Sequence, residues 1–192
     1  MVGNMKYIKE QLRRIRLFIN KIGSKERNKR LLNKNVTIIS NNCYAGITYE
    51  YLNLPFNSPT IGLYFFAPEY IKFIKNLKHY TNSKLVQIES KESKYYDKLK
   101  ELHQDDKIIA KVDDVEIVFL HYKTFSEAKE KWERRCKRID YSNIIYKFSD
   151  QNLCSEKEIN CFLKLDFPNK LFFSSKNIES ESVIWFKKYK NK

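Results

Sequence analysis

The sequence predicts an α/β fold: a three-layer, mainly parallel sheet with helices on both faces, plus an N-terminal amphipathic helix. Two observations carry that reading. Short apolar runs of strand type, NVTIIS, IIAKV, VEIVFL and NIIYKF, recur along the chain. Segments of helical periodicity separate most of them, and strands alternating with helices favour parallel pairing through crossover connections. A third observation sets the scale: 192 residues, 42% hydrophobic and 15% aromatic, suffice for one core, because a domain of about 100–200 residues buries most of its apolar surface. The domain reading is residues 1–34 as a basic amphipathic helix and connection, then 35–192 as one α/β domain.

Taken in order, Ile8, Leu12, Ile15, Ile19 and Ile22 fall at steps of four, three, four and three, one stripe of a helix over residues 5–22. Lys6, Lys9, Arg13, Arg14, Arg16 and Lys21 crowd its remaining faces. Such a helix suits an anionic membrane surface, and it equally suits packing on the domain or on a partner. GSKERNKR after it reads as a solvated connection. NVTIIS, residues 35–40, is a buried strand entering the polar turn Ser40, Asn41, Asn42, Cys43. Residues 44–53 form a short helix, and LPFNSPTIG is a long loop with two prolines that covers something.

From Pro68, the spacing of Tyr70, Ile71, Phe73, Ile74 and Leu77 is helical, with proline in the first turn. Residues 94–103 read as another helix. IIAKV and VEIVFL meet at Asp113-Asp114 like a hairpin without a turn glycine, and the second run ends at His121. Thr124 and Glu127 form a capping box opening a helix whose face carries Phe125, Ala128, Trp132, Cys136 and Ile139. NIIYKF is a strand ending at Ser149-Asp150. A helix over 156–163, a short strand LFFS and a basic tail from Val183 complete the chain.

Charge and composition exclude several classes. The net charge is +14, yet residues 1–34 hold 11 Lys or Arg against 2 acidic residues, so the basicity is mainly N-terminal. With no RNP, helix-turn-helix or zinc-finger pattern, nucleic acid is not the expected partner. No apolar run of membrane-spanning length and no signal peptide is evident, which points to the cytoplasm, peripheral to the inner membrane face if residues 1–34 bind lipid. Cys43, Cys136, Cys154 and Cys161 show no CxxC spacing, and the three histidines show no metal-ligand spacing. Reduced thiols, no metal and no cofactor are expected.

Ligands of parallel sheets bind beyond the carboxyl ends of the strands, and Cys43, His121 and Asp150 all follow predicted strands. A cysteine at a helix N-terminus beside an imidazole becomes a thiolate. Cys43 as nucleophile, His121 as base and Asp150 as orienting group are therefore the catalytic candidates, with Asn41 or Asn42 as alternatives to Asp150. A buried cysteine acting as a small hydrophobe is the bland alternative. Ser40, Asn41, Asn42, Asn57 and Ser58 could bind sugar hydroxyls or a phosphate, or simply cap a helix. Tyr122, Trp132, Arg135 and Arg138 complete the binding candidates, the two arginines forming a basic flank that could clamp an anion.

The strings IISNNCYAGITYEYLNLPFNSPTIGLYF, VFLHY and W-x-x-R-x-x-R-I (Trp132, Arg135, Arg138, Ile139) together resemble a bacterial family of uncharacterised proteins labelled exopolysaccharide biosynthesis proteins. The resemblance covers roughly residues 35–175, leaving the N-terminal helix outside. It implies a setting, the assembly or modification of cell-surface glycans, and no mechanism. The early cysteine and later histidine also look loosely like bacterial papain-like peptidases, at isolated positions only. Two functions compete: an enzyme, a transferase or Cys/His type, acting on a glycan precursor, and a non-catalytic module binding a nucleotide-sugar, polysaccharide or partner.

Overall fold

The computed structural model describes Phe18, Ile19 and residues 22–189. The helix expected over 5–22 lies largely outside those residues; of its stripe, Ile19 and Ile22 are described and both are exposed. Residues Ser24–Lys29, expected as a connection, form helix α1. It docks on the next helix: Arg27 Nε donates to the Tyr51 carbonyl, and the Asn28 amide donates to the Leu52 and Asn53 carbonyls.

Among the described residues the strands form two four-stranded sheets. The first is all parallel, in the order β1 (Thr37–Ser40), β6 (Ile144–Ser149), β7 (Lys170–Ser174), β8 (Val183–Trp185). The second is antiparallel, in the order β2 (Leu63–Tyr64), β5 (Val115–Phe119), β4 (Ile108–Val112), β3 (Leu85–Ile88). The mixed α/β class and the parallel sheet agree with the sequence expectation. What differs is that the β4–β5 hairpin, closed by Asp113 in left-handed backbone (φ 53°), belongs to a sheet of its own. Aspartate tolerates that conformation, so the missing turn glycine is no obstacle.

Between the sheets lie α3 (Ala67–Lys75), α4 (Leu77–Asn82), α6 (Phe125–Cys136) and α7 (Glu156–Lys164). One apolar core joins both sheets through them: Ile39, Phe148 and Phe172 from the parallel sheet, Tyr70 and Phe73 of α3, Trp132 of α6, Phe162 of α7, and Ile117 and Phe119 of β5. The Tyr70 hydroxyl lies 2.9 Å from the carbonyls of both Ile39 and Lys147. On the far side of the antiparallel sheet, α5 (Tyr96–Glu101) buries Leu99 against Ile109 and Val118. The two sheets also touch along the backbone, where Phe65 N–H donates to the Asn41 carbonyl at 3.0 Å.

The other face of the parallel sheet decides where a ligand can sit. Helix α2 (Tyr44–Leu52) packs Ala45 and Tyr49 on Ile38 of β1. β1 is thus followed by a helix on one face, and its neighbour β6 by α7 on the opposite face. That reversal between adjacent parallel strands opens a crevice at their carboxyl ends. Over β7 and β8 this face lies open: Ile184 is 44% and Phe186 40% exposed.

Candidate functional site

A cavity of about 770 Å³ occupies that crevice, lined by Asn42, Cys43, Tyr44 and Ile47 from the β1–α2 junction, Lys147, Ser149, Asp150 and Gln151 from β6 and its exit, and Phe173, Ser174, Ser175 and Phe186 from β7 and β8. Strand alternation builds its floor. Ile144, Tyr146 and Phe148 face the core, so Lys147 and Ser149 face the cavity, as does Phe173, the register partner of Ser149.

Asn42 is the junction of the polar wall. Its Nδ2 donates to Ser149 Oγ at 3.2 Å and to Gln151 Oε1 at 3.1 Å, while its Oδ1 accepts from Tyr44 N–H and from Lys147 Nζ, both at 3.2 Å. Asn41 lies behind it, fully buried. Its side chain exchanges hydrogen bonds with Ser149 and holds the ends of β1 and β6 together. Ser40 Oγ accepts from Ala45 N–H and donates to the Asn42 carbonyl, so it satisfies one of the free N–H groups in the first turn of the helix that follows. Asp150 turns one oxygen, Oδ2, to Ser175 N–H at 2.6 Å, Ser175 Oγ at 2.8 Å and Ser174 Oγ at 3.3 Å. Among the described residues nothing bonds its Oδ1.

Lys147 is the residue that sequence reading missed. It is 2% exposed, and its ammonium forms no salt bridge among the described residues. Besides Asn42, its neighbours are the faces of Tyr44 and Phe173, 5.2 and 5.0 Å from Nζ to the ring centroids. Burial without a counter-ion depresses the amine to about 7, with the charge of Asp150 opposing part of that fall. Tyr44 and Phe173 meet edge to face at 5.1 Å, and Phe173 meets Phe186 at 5.1 Å, so three aromatic rings follow one another along the cavity.

Cys43 and Asp150 thus share a cavity, whereas His121 does not line it. The His121 side chain is exposed, and its backbone N–H donates to the Gly62 carbonyl at 3.1 Å. The Cys43 thiol points to the Leu63 carbonyl at 3.8 Å, and burial pushes its pKa up rather than down. The thiolate expected at this helix start is opposed by desolvation. The other candidates support the fold around the site. Asn57 bonds Asn35, and buried Ser58 bonds Thr60, whose hydroxyl receives Ser40 N–H, so the long loop is stitched to β1. Arg135, buried, donates to the Tyr122 hydroxyl at 2.7 Å and stacks on Phe56, while Tyr122 donates to the Ile61 carbonyl. Trp132 is in the core against Phe73 and Phe119, and Arg138 is exposed.

Two comparisons with known proteins bear on this arrangement. The model of a family described as a domain of unknown function, DUF1919, matches residues 14–192. An uncharacterized protein of Haemophilus influenzae is 31% identical over 164 residues, 85% of this chain and 71% of that protein. The family match begins at residue 14, upstream of the boundary at 35 expected from the resemblance, and takes in α1. The same match spans every element of the crevice, so this chain belongs to the family defined by that domain of unknown function, DUF1919.

Proposed function

We propose that this chain binds the sugar unit of a glycan precursor in the crevice beside α2, as a step in building cell-surface polysaccharide. The observation that carries the reading is the chemistry of the wall: a carboxylate, two amides and three serines, together with the rings of Tyr44, Phe173 and Phe186. Sugars present hydroxyls at their edges and C–H groups on their faces. Amides offer donors and an acceptor to the first, and aromatic faces cover the second. A volume of about 770 Å³ accommodates a sugar unit.

Between enzyme and binding module, the cavity favours an enzyme that does not use the thiol. Cys43 is held as a protonated donor and His121 is outside the lining, so a Cys/His nucleophile draws no support from the geometry. Lys147, whose amine burial brings to about 7, is the group there that can exchange a proton near neutral pH. Membrane attachment through residues 1–34 remains part of the proposal. Because α1 packs on α2, the deletion that tests it stops at residue 17, and binding to anionic vesicles is expected to be lost while the domain keeps its melting transition.

The binding claim is tested by titrating isotope-labelled protein with a panel of monosaccharides, sugar phosphates and nucleotide-sugars. Resonances of Asn42, Gln151 and Ser175 are expected to shift. Asn42→Ala and Phe173→Ala each weaken the best ligand about tenfold, the equivalent of about 1.4 kcal/mol. Arg138→Ala leaves it unchanged. A panel without a ligand that shifts those residues, or a ligand as sensitive to Arg138 as to Asn42, contradicts the proposal.

A further inference from the structure

Lys147 presents a primary amine to the cavity under conditions that strip it of its usual role. A lysine buried for structure is paired with a carboxylate, because an unpaired buried ammonium is costly. Here the hydrogen-bond partner is the neutral oxygen of Asn42, and Asp150 commits Oδ2 to two serines. We propose that Lys147 captures its ligand covalently: the amine condenses with the aldehyde or ketone group of a sugar-like molecule seated in the crevice, forming an imine and releasing water. The proposal rests on the reading that the crevice is the ligand site, and it adds the functional group that the ligand must carry.

The step balances without any further reagent. The Nζ lone pair attacks the carbonyl carbon, and the carbonyl π electrons move to oxygen, which takes one proton from the now positively charged nitrogen. The resulting neutral carbinolamine loses its remaining N–H proton and its hydroxyl, together as water, to leave the imine C=N. The Oδ1 oxygen of Asp150, which nothing else bonds among the described residues, is the group on the cavity wall suited to relay those protons. The titratable groups around the amine are Asp150 at the end of β6 and Cys43 and Tyr44 at the start of α2; Phe173 covers it from β7. Desolvation keeps a large fraction of the amine neutral near pH 7, the form that attacks. The rings of Tyr44 and Phe173 then lie against the imine, and would cover the charge of its nitrogen when it takes up a proton from solvent.

A phosphate is the competing partner for an unpaired lysine. It fits less well, because the Asp150 carboxylate lines the same cavity and would repel a second anion. A carbonyl carried by an otherwise neutral polyol meets no such opposition.

The experiment is reductive trapping on the full chain. Protein is incubated with D-glyceraldehyde and cyanoborohydride across pH 6–9, and modified lysines are located by peptide mass spectrometry. Lys147 is expected to react at least about tenfold faster than exposed lysines at pH 7, because far more of its amine is unprotonated. Its rate levels off above about pH 7.5, while exposed lysines keep accelerating. Lys147→Arg, which keeps a cation and removes the nucleophile, abolishes the fast site without loss of fold by circular dichroism. If Lys147 reacts no faster than exposed lysines while sugars still shift the Asn42 and Gln151 resonances, covalent capture is overturned and the binding site stands. If inorganic phosphate at millimolar concentration shifts the Lys147 resonance and blocks sugar binding, the residue is an anion seat and capture is again overturned. If no sugar shifts those resonances and Lys147 is not trapped, both readings fall.

Discussion

Among the described residues two charged side chains are each 2% exposed, and the protein treats them in opposite ways. Glu69, on α3, is fully partnered. It pairs with Lys94 at 2.8 Å, accepts from the Tyr95 hydroxyl at 2.9 Å and accepts from Glu116 N–H at 2.8 Å. It ties α3 to β5 and to the segment before α5. Lys147 has an amide oxygen and two aromatic faces. A buried charge surrounded by partners joins elements of a fold. One left without a counter-ion on a cavity floor costs stability and is retained where chemistry needs it.

Substitutions should separate the two. The largest expected loss is for Glu69→Ala, about 3–5 kcal/mol, since it strands an amide, a hydroxyl and a lysine. Urea denaturation measures it, and a loss under about 1 kcal/mol would break the contrast. Arg135→Ala, which frees Tyr122 and uncovers Phe56, is expected to cost about 2 kcal/mol and to leave sugar binding within threefold. Lys147→Met should move the other way, gaining about 1–3 kcal/mol at pH 6.

The sign of that gain follows from proton linkage. The folded protein holds the Lys147 proton less tightly than the unfolded chain, with a pKa near 7 against an ordinary 10.5. Between those values the unfolded state binds more protons, so this group makes stability rise with pH, and below about 7 its full cost is present. The gain from Lys147→Met therefore shrinks as pH rises from 7 towards 9.5; a gain independent of pH would contradict the assignment. The smallest effect belongs to Cys43→Ala, under about 1 kcal/mol, because among the described residues its side chain makes a single weak bond, from the thiol. Alkylation of Cys43 at pH 7.5 should be slow and unchanged by His121→Ala; fast alkylation lost with His121 would restore the thiolate reading.

The parts of this molecule that could be read from its sequence are those whose signals are local. β1 and β6 announce themselves as β-branched runs, and α6 by its Thr124 cap, which accepts from Glu127 N–H as expected. β2 could not be read so. It has two residues, and they are strand because Phe119 and Val118 sit beside them from over fifty positions away. Missing β2 and β3 is what made two sheets look like one. β8, which appeared as a basic tail, is a strand through its pairing with β7. The polar turn at 40–43 and Asp150 were legible because parallel strands project their exits into a crevice. Lys147 was not. A lysine in NIIYKF reads as the solvated face of a strand, and only the arrival of Tyr44 from α2 and Phe173 from β7 buries it. The alternation did carry a hint: Lys147 and Ser149 share a face that the core does not use.

The central claim, that an unpaired and readily deprotonated lysine forms the floor of the ligand site, is tested most directly by following the Lys147 side-chain ¹³Cε resonance against pH, assigned with Lys147→Arg. The account predicts a midpoint near 7, moved by sugars that bind the crevice. A midpoint near 10.4, the value of an exposed lysine, would contradict it.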